Sequence, residues 1–321
     1  MHTLTHRLLP LASLLTSAAT LLAADAPVEL KPRWEAGKRY HQTIKTDQQT
    51  TMNMGGQSMK QGSITTMEMV TTVSAQPGGK GKRLQMMYGR MAMEMDMNGQ
   101  KLGFDSAKPN APDPLGMGQS LGKLTGKEFA VVVDEKDQVV EVENMEKLIG
   151  EALAGNPMGQ QLRGMFNKET MANMIRQSVL YATPGKPVKA GDSWPFTITV
   201  DLPQMGRVAM VGNYTMKGMA QRGGVQTAEL TVDGKLSLDI SGLKTGNAEA
   251  DAAMKQMGMK MEGGAMKGTI WFDPALGMNR EALLNQDMTM SMKNPTKPEE
   301  SMTIPIKQTI TQTLTKVEDV K

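Results

Sequence analysis

The sequence contains no cysteine and only three histidines. Without cysteine there is no disulfide, no thiol nucleophile, no thiolate-zinc site and no lipidated cysteine anchor. His2 and His6 lie in the N-terminal segment, so His41 is the one imidazole left for general-base chemistry near neutral pH. The nucleophile-elbow, zinc-helix, phosphate-loop and calcium-loop motifs are all missing. We therefore expect a protein that is not an enzyme and that has no cofactor.

Long apolar runs and an excess of charge of one sign are also missing. The formal net charge is +3, from 36 basic and 33 acidic residues. Such a balance does not indicate a nucleic-acid partner. Beyond residue 24 no segment is apolar and long enough to cross a bilayer as a helix, which takes ~20 residues. Hydrophobic residues at 39% and charged residues at 21% are typical of a chain that buries a core.

The N-terminus carries an export signal. His6 and Arg7 precede an apolar run over residues 8–22, which ends in the small residues Ala23 and Ala24. The run is shorter than the ~20 residues of a membrane anchor and is broken by Pro10. We predict that residues 1–24 are a signal peptide, cleaved before Asp25, and that the mature protein is periplasmic or secreted.

Most of the mature chain alternates between apolar and polar residues, which is the pattern of half-buried antiparallel strands. Hairpin turns are predicted at residues 76–79 and 134–138, and the Gly- and Pro-rich residues 98–126 are predicted to form a long loop with one helical turn near Leu121. We predict a mainly β fold with about ten strands, either a strongly curved antiparallel sheet or a half-open barrel.

Only the middle of the chain has helical periodicity, over residues 145–153 and 167–181. We predict two short helices there, lying against the concave side of the sheet. Residues 25–321 then form a single β-rich domain. Two related halves, 25–143 and 186–321, would be joined by the helical segment 144–185, since Trp34 and Tyr40 are echoed by Trp194 and Tyr214.

Methionine is the compositional anomaly, with 32 residues. Met91, Met93, Met95 and Met97 alternate with polar or small residues, which places all four thioethers on one face of a strand. One interpretation is packing, with methionine replacing leucine and valine on buried faces. The alternative is a Cu(I) or Ag(I) site, for which the group Met257, Met259 and Met261 has suitable spacing. The polar partner positions and the scarcity of histidine favour packing, and oxidant scavenging is a third possibility.

A ligand-binding hypothesis follows from the flexibility of thioethers, which adapt to irregular apolar guests. Periplasmic lipoprotein carriers, whose open half-barrels hold acyl chains under a helical lid, provide an analogy at the level of the fold. We predict an apolar or lipid-like ligand in a Met-rich concavity. The alternative is a structural or interaction protein of the cell envelope whose sheet is closed by its own side chains. The predicted lining residues are Met91, Met93, Met95, Met171, Met174 and Ile175.

Several short motifs follow one another along the chain in a recognisable order. They are Trp34-x-x-Gly37-x-x-Tyr40, Phe104-Asp105-Ser106, Gly126-Lys127-x-Phe129-x-Val131, Val139-x-Glu141-Val142, Lys186-Pro187-Val188-x-x-Gly191-Asp192-Ser193-Trp194, Gly268-Thr269-Ile270-x-Phe272-Asp273 and Thr303-Ile304-Pro305. With them the chain resembles a family of exported, strand-rich bacterial proteins known only as a domain of unknown function. The resemblance implies strands and export, and assigns no activity, cofactor or catalytic residue. Physically, the segment from Pro187 to Trp194 is typical of a turn that delivers a buried aromatic ring.

Overall fold

The fold is taken from a computed structural model, which describes residues 26–54, 57–108, 118, 121–136, 138–152, 184–202, 206–240, 258–294 and 297–320. The predicted signal peptide and the predicted helix at 167–181 lie outside the described residues. No helix within those ranges is long and apolar enough to pass through a membrane.

Twelve strands account for most of the described chain. The strands are long because apolar and polar residues alternate over long stretches of the chain, and each strand ends where turn residues interrupt the alternation. A 3-10 turn at Gly122–Leu124 and the helix α1 (Met145–Ala152) interrupt them. The strands are β1 (Lys38–Met54), β2 (Gln57–Ala75), β3 (Lys82–Met97), β4 (Gln100–Asp105), β5 (Glu128–Val133), β6 (Val139–Glu143), β7 (Ser193–Leu202), β8 (Gly206–Arg222), β9 (Val225–Asp239), β10 (Lys260–Asp273), β11 (Met278–Asn294) and β12 (Lys297–Asp319).

All twelve strands belong to one antiparallel sheet. Its order is β6-β5-β3-β2-β1-β12-β11-β10-β9-β8-β7, with β4 paired to β3 beside β5. Strands β1 and β12 therefore meet in the middle, where Lys38 lies opposite Asp319. The predicted mainly β fold and curved, unclosed antiparallel sheet are confirmed, with twelve strands instead of about ten.

β-Bulges keep the apolar residues of the long strands on one side. Tyr88 lies opposite Met69 and Met91 lies opposite Met67, because Gly89 is an extra residue in β3. The bulge moves the inward positions from even to odd numbers, so the methionines that follow stay on the face of Leu84. We call the side that carries Leu84, Tyr88 and Met91 the apolar face, and the other side the polar face.

Two hydrophobic cores cover parts of the apolar face. In the Trp34 core, helix α1 places Met145, Ile149 and Ala152 over the sheet. Trp34 is 2% exposed there and packs edge-on against Tyr40 with 5.2 Å between ring centroids. The remaining members include Val73, Leu84, Met86, Tyr88, Leu124, Phe129, Val131 and Val133.

The second core, the Trp194 core, lies over strands β7–β10. Trp194 and Tyr214 pack with 6.0 Å between ring centroids. The segment before β1 covers them with Leu30, and the Val28–Val188 backbone bridge ties it to the segment before β7. Gly191 has φ +89°, and Asp192 accepts a hydrogen bond from the Lys189 amide, so the predicted turn before Trp194 is confirmed.

One element differs from the prediction. Residues 100–105 were expected in a long loop and instead form β4, paired with β3 from Ala92 to Met97. Gly103 permits this close pairing, since a Cβ at that position would lie 2.2 Å from the Met93 carbonyl oxygen. The helical turn near Leu121 and both hairpin turns are confirmed, and so is the helix predicted at 145–153 over its described residues, Met145–Ala152.

Candidate ligand-binding face

The part of the apolar face outside the two cores is built mainly from methionine and isoleucine. We call it the open half; each of its members keeps part of its surface accessible. It runs over the ends of the strands that are remote from helix α1. Its members are Ile44, Met52, Met59, Met93, Met95, Met97, Leu102, Met290, Met292, Met302, Ile304, Ile306 and Ile310.

Strand register brings these side chains together from distant parts of the sequence. Met52 lies opposite Met59, and Ile304 lies opposite Met290. Opposed side chains in an antiparallel pair have their Cβ atoms about 4.5–5.5 Å apart. The open half therefore combines apolar side chains of β3, β4, β11 and β12 on one face of the sheet. Polar residues of β1 and β2 lie between them on that face, namely Thr46, Gln48, Thr50, Gln61, Ser63 and Thr65.

The predicted lining residues divide into three groups. Met91 packs against the Trp34 core. Met93 and Met95 lie on the open half, opposite Phe104 and Leu102 of β4. The third group, Met171, Met174 and Ile175, lies outside the described residues. The shared face of the methionine ladder is confirmed by the register, and Met97 at its end is 38% exposed.

Sequence reasoning missed the contribution of β11 and β12 to this face. The signal was present as the alternation of Met302, Ile304 and Ile306 with polar or proline neighbours. It could not be assigned to a shared surface, because the pairing of β12 with β1 joins segments at opposite ends of the described chain.

A row of amides crosses the open half. Gln48 lies opposite Gln308, and Gln308 lies opposite Gln286. All three side chains are half-buried. Gln286 donates to the Met266 sulfur over 3.7 Å, and Gln48 donates to the Thr50 hydroxyl over 3.3 Å. This glutamine row provides donors and acceptors between the methionines of β3 and the isoleucines and methionines of β11 and β12.

The predicted alternative metal group is not assembled as a strand triplet. Met257 lies outside the described residues, Met259 precedes β10, and Met261 lies in β10 opposite Met290. Among the described residues, no three His, Asp or Glu side chains are grouped to hold a metal ion. That these three methionines serve packing and do not bind a metal ion stays a prediction.

An ion pair anchors β4 at the edge of the open half. Arg90 donates to both oxygens of Asp105, from Nε over 3.0 Å and from Nη2 over 2.8 Å. Asp105 also accepts the Ala107 amide. These hydrogen bonds, led by those from Arg90, lower the pKa of Asp105 to about 2. The pair fixes the end of β4, whose Phe104 is buried beside Met93.

The polar face has a different character. A groove of about 530 Å³ beside Gly62 is lined by hydroxyl, amide and charged side chains, among them Thr51, Lys60 and Asp96. A second groove of about 250 Å³ shares Gln49, Gly62 and Asp96 with it, and Met95 is among its lining residues. His41 bonds to Glu318 over 3.0 Å on this side. Hydrogen bonds from Lys316 and His41 lower the pKa of Glu318 to about 2.

The motif residues that carry the family resemblance hold the fold together. Trp34, Tyr40 and Phe129 are core residues. Asp273 is 4% exposed, and its Oδ2 accepts Nε and Nη2 of Arg280 over 2.9 and 2.8 Å. The model of a family of unknown function, DUF6263, matches residues 79–279. The chain belongs to the DUF6263 family.

Membership in DUF6263 assigns no activity. No curated protein matches the chain in sequence. Among solved structures, one of lipovitellin and its lipid-protein interactions matches with 9% identity and a TM-score of 0.48, over 90% of this chain. The chain spans only 26% of the lipovitellin chain.

Two bacterial structures match with lower scores. A DUF1329 family protein from Desulfovibrio piger has 8% identity and a TM-score of 0.16, over 86% of this chain and 85% of that one. A putative outer membrane lipoprotein-sorting protein domain from Vibrio parahaemolyticus has 9% identity and a TM-score of 0.15, with the same coverage. Identities and TM-scores this low transfer neither ligand nor activity.

Proposed function

We propose that this protein is a non-enzymatic, extracytoplasmic binding protein that holds an apolar, chain-like ligand, such as a lipid acyl chain, on the open half of its apolar face. The observation that carries the proposal is the half-exposed methionine and isoleucine surface outside both cores. Contiguous exposed apolar surface is costly in water and is typical of binding sites. Methionine suits a guest of irregular shape because its unbranched side chain is flexible and polarisable.

The glutamine row supports an amphiphile over a pure hydrocarbon. Binding sites for small molecules combine apolar lining with a few polar groups that fix orientation. Gln48, Gln286 and Gln308 would accept or donate hydrogen bonds to an ester, carboxyl or hydroxyl group of the ligand. The chain itself would lie along the methionines on either side of the row.

The free energy of such binding is of a usable size. Burial of ~16 methylenes contributes about 13 kcal/mol at ~0.8 kcal/mol each. Association costs at least ~4 kcal/mol in lost freedom. The difference is at most about 9 kcal/mol, which corresponds to an affinity in the micromolar range or slightly tighter.

A titration with cis-parinaric acid, whose fluorescence rises in apolar surroundings, tests the proposal. We expect saturable binding with a micromolar Kd. Ile306→Gln should weaken it about tenfold, since Ile306 lies on the open half opposite Thr50 and Met288. Lys307→Gln is the matched control, because its side chain lies on the polar face in the adjacent position. Absence of saturable binding, or equal loss in both variants, would refute the proposal and favour a structural role.

A further inference from the structure

Packing explains only some of the methionines. Met69, Met86, Met216, Met266 and Met278 are each at most 5% exposed and belong to the two cores, as the packing interpretation requires. Another group at the remote ends of β10, β11 and β12 is half-buried. Its thioethers remain partly accessible to small solutes, although Met261 also packs against the Trp194 core, so burial alone does not account for the group.

This second group is compact. Met261 lies opposite Met290, and Met292 lies opposite Met302. Met290 and Met292 are alternate residues of β11, on the same face. Opposed Cβ atoms are about 4.5–5.5 Å apart and diagonal neighbours about 7–8 Å, within reach of long side chains. The four sulfur atoms can therefore approach a common point above β11. We call these residues the methionine quartet.

The acidic side chain nearest to the quartet in sequence is engaged in other contacts. The neighbours of the quartet on the apolar face include Ile304 and Met288. Glu262, next to Met261 in sequence, accepts a hydrogen bond from Ser291 and an ion pair from Lys260. Among the side chains that the structure describes next to the quartet, the donors above β11 are therefore thioethers. Thioethers select soft monovalent ions such as Cu(I) and Ag(I) over Zn(II), Ca(II) or Mg(II). A single positive charge is also less costly to place on an apolar surface than a double one.

We propose that the methionine quartet, Met261, Met290, Met292 and Met302, is a binding site for a soft monovalent cation, Cu(I) or Ag(I), coordinated by three or four thioethers. The site is distinct from the sequence group Met257, Met259 and Met261, with which it shares one residue. Met290, Met292 and Met302 also belong to the open half, but the cation site does not rest on the proposed acyl-binding function, because it requires sulfur and not apolar surface.

Anaerobic titration of the full chain with Cu(I), in competition with a chromophoric Cu(I) chelator, tests this site. Ag(I), which is inert to redox change, serves as a second probe. We expect one ion per chain to survive competition. Replacing all four quartet residues by leucine should weaken binding at least tenfold. The matched control carries leucine at Met67, Met91, Met93 and Met95, and should bind as the native chain does.

The outcomes separate the two proposals. Leucine keeps the volume and apolar character of methionine, so the quartet variant should keep its fold by circular dichroism while it loses the bound ion. No bound ion in the native chain would overturn the inference, as would equal losses in the quartet variant and the control. If the native chain binds Cu(I) but does not bind cis-parinaric acid, the proposed acyl-binding function is wrong and the metal site is supported.

Discussion

Asp105 shows how one residue stabilises the edge of the apolar face. The Arg90 guanidinium lowers the pKa of Asp105 to about 2, against ~3.9 in an unfolded chain. A depressed folded-state pKa stabilises the fold above the unfolded value, and this stabilisation is lost as the pH falls from about 4 toward 2. Asp105→Asn should therefore lower the free energy of unfolding by about 1–2 kcal/mol at pH 7, since Arg90 is partly exposed.

Urea denaturation at pH 7 and at pH 2.5 measures this difference. We expect the gap between the native chain and Asp105→Asn to narrow at the lower pH. Asp134→Asn, in the exposed turn before β6, should show a smaller effect. A gap that is independent of pH would mean that the Arg90 contact does not stabilise the carboxylate.

The register of β3 makes a second residue-scale prediction. Met93 lies on the apolar face between Thr65 and Phe104, and Glu94 is exposed on the polar face. Met93→Asp would place a charge beside buried Phe104, so it should destabilise by about 2–4 kcal/mol. Glu94→Gln should change stability by less than about 0.5 kcal/mol. Thermal melts of both variants, if equal, would show that the assignment of faces is wrong.

Helix α1 makes its prediction at the scale of an element. Its apolar positions, Met145, Ile149 and Ala152, recur at helical spacing and are each 2% exposed over the Trp34 core. Ile149→Ala should cost about 2–4 kcal/mol through a cavity beneath the helix. Lys147→Ala, on the exposed side, is the control and should cost little. Urea midpoints measure both; similar midpoints would contradict the docking of α1 on the sheet.

How much of each element could be predicted depended on the range of its interactions. Alternation predicted most strands, because the pleat demands it locally. The helix at 145–153 was predicted from its period alone, and the structure shows it over Met145–Ala152. β4 was missed because Gly103 and the prolines nearby resemble a loop, and only pairing with Met93 makes Gly103 suitable for a strand.

Strand order and bulges were beyond local reasoning. The extra residue Gly89 can be recognised only when Tyr88 and Met91 are set against their partners in β2. The same limit applied to the site: the methionines of β3 were identified, but the union of Met52 with the isoleucines of β12 depends on a pairing between distant segments.

At the scale of the whole molecule, the sheet is continuous between its two cores. β1, β12 and β11 connect the strands of the Trp34 core to those of the Trp194 core without a break. Trp34 and Trp194 report on separate cores, and Trp271 lies under Arg222, whose guanidinium is 4.3 Å from the ring centroid on the polar face. We expect the two cores to unfold together, because each borders the same central strands.

Two variants with a single core tryptophan measure this cooperativity. One carries Trp194→Phe with Trp271→Phe, and the other Trp34→Phe with Trp271→Phe. In each, the urea midpoint from fluorescence should coincide with that from circular dichroism. Separate midpoints for fluorescence and circular dichroism within one variant would show that the related halves predicted from the sequence are independent units.

The central position of β12 also has a consequence for biosynthesis. β1 pairs with β12 through residues as far apart as Lys38 and Asp319, 281 positions in sequence. Until residues 297–319 leave the ribosome, β1 and β11 each present a bare edge, and such edges invite association with other chains. Ordering so long an intervening chain is slow. The sheet therefore cannot be completed during synthesis of the chain. We expect a holding chaperone to keep the nascent chain unfolded until β12 is available.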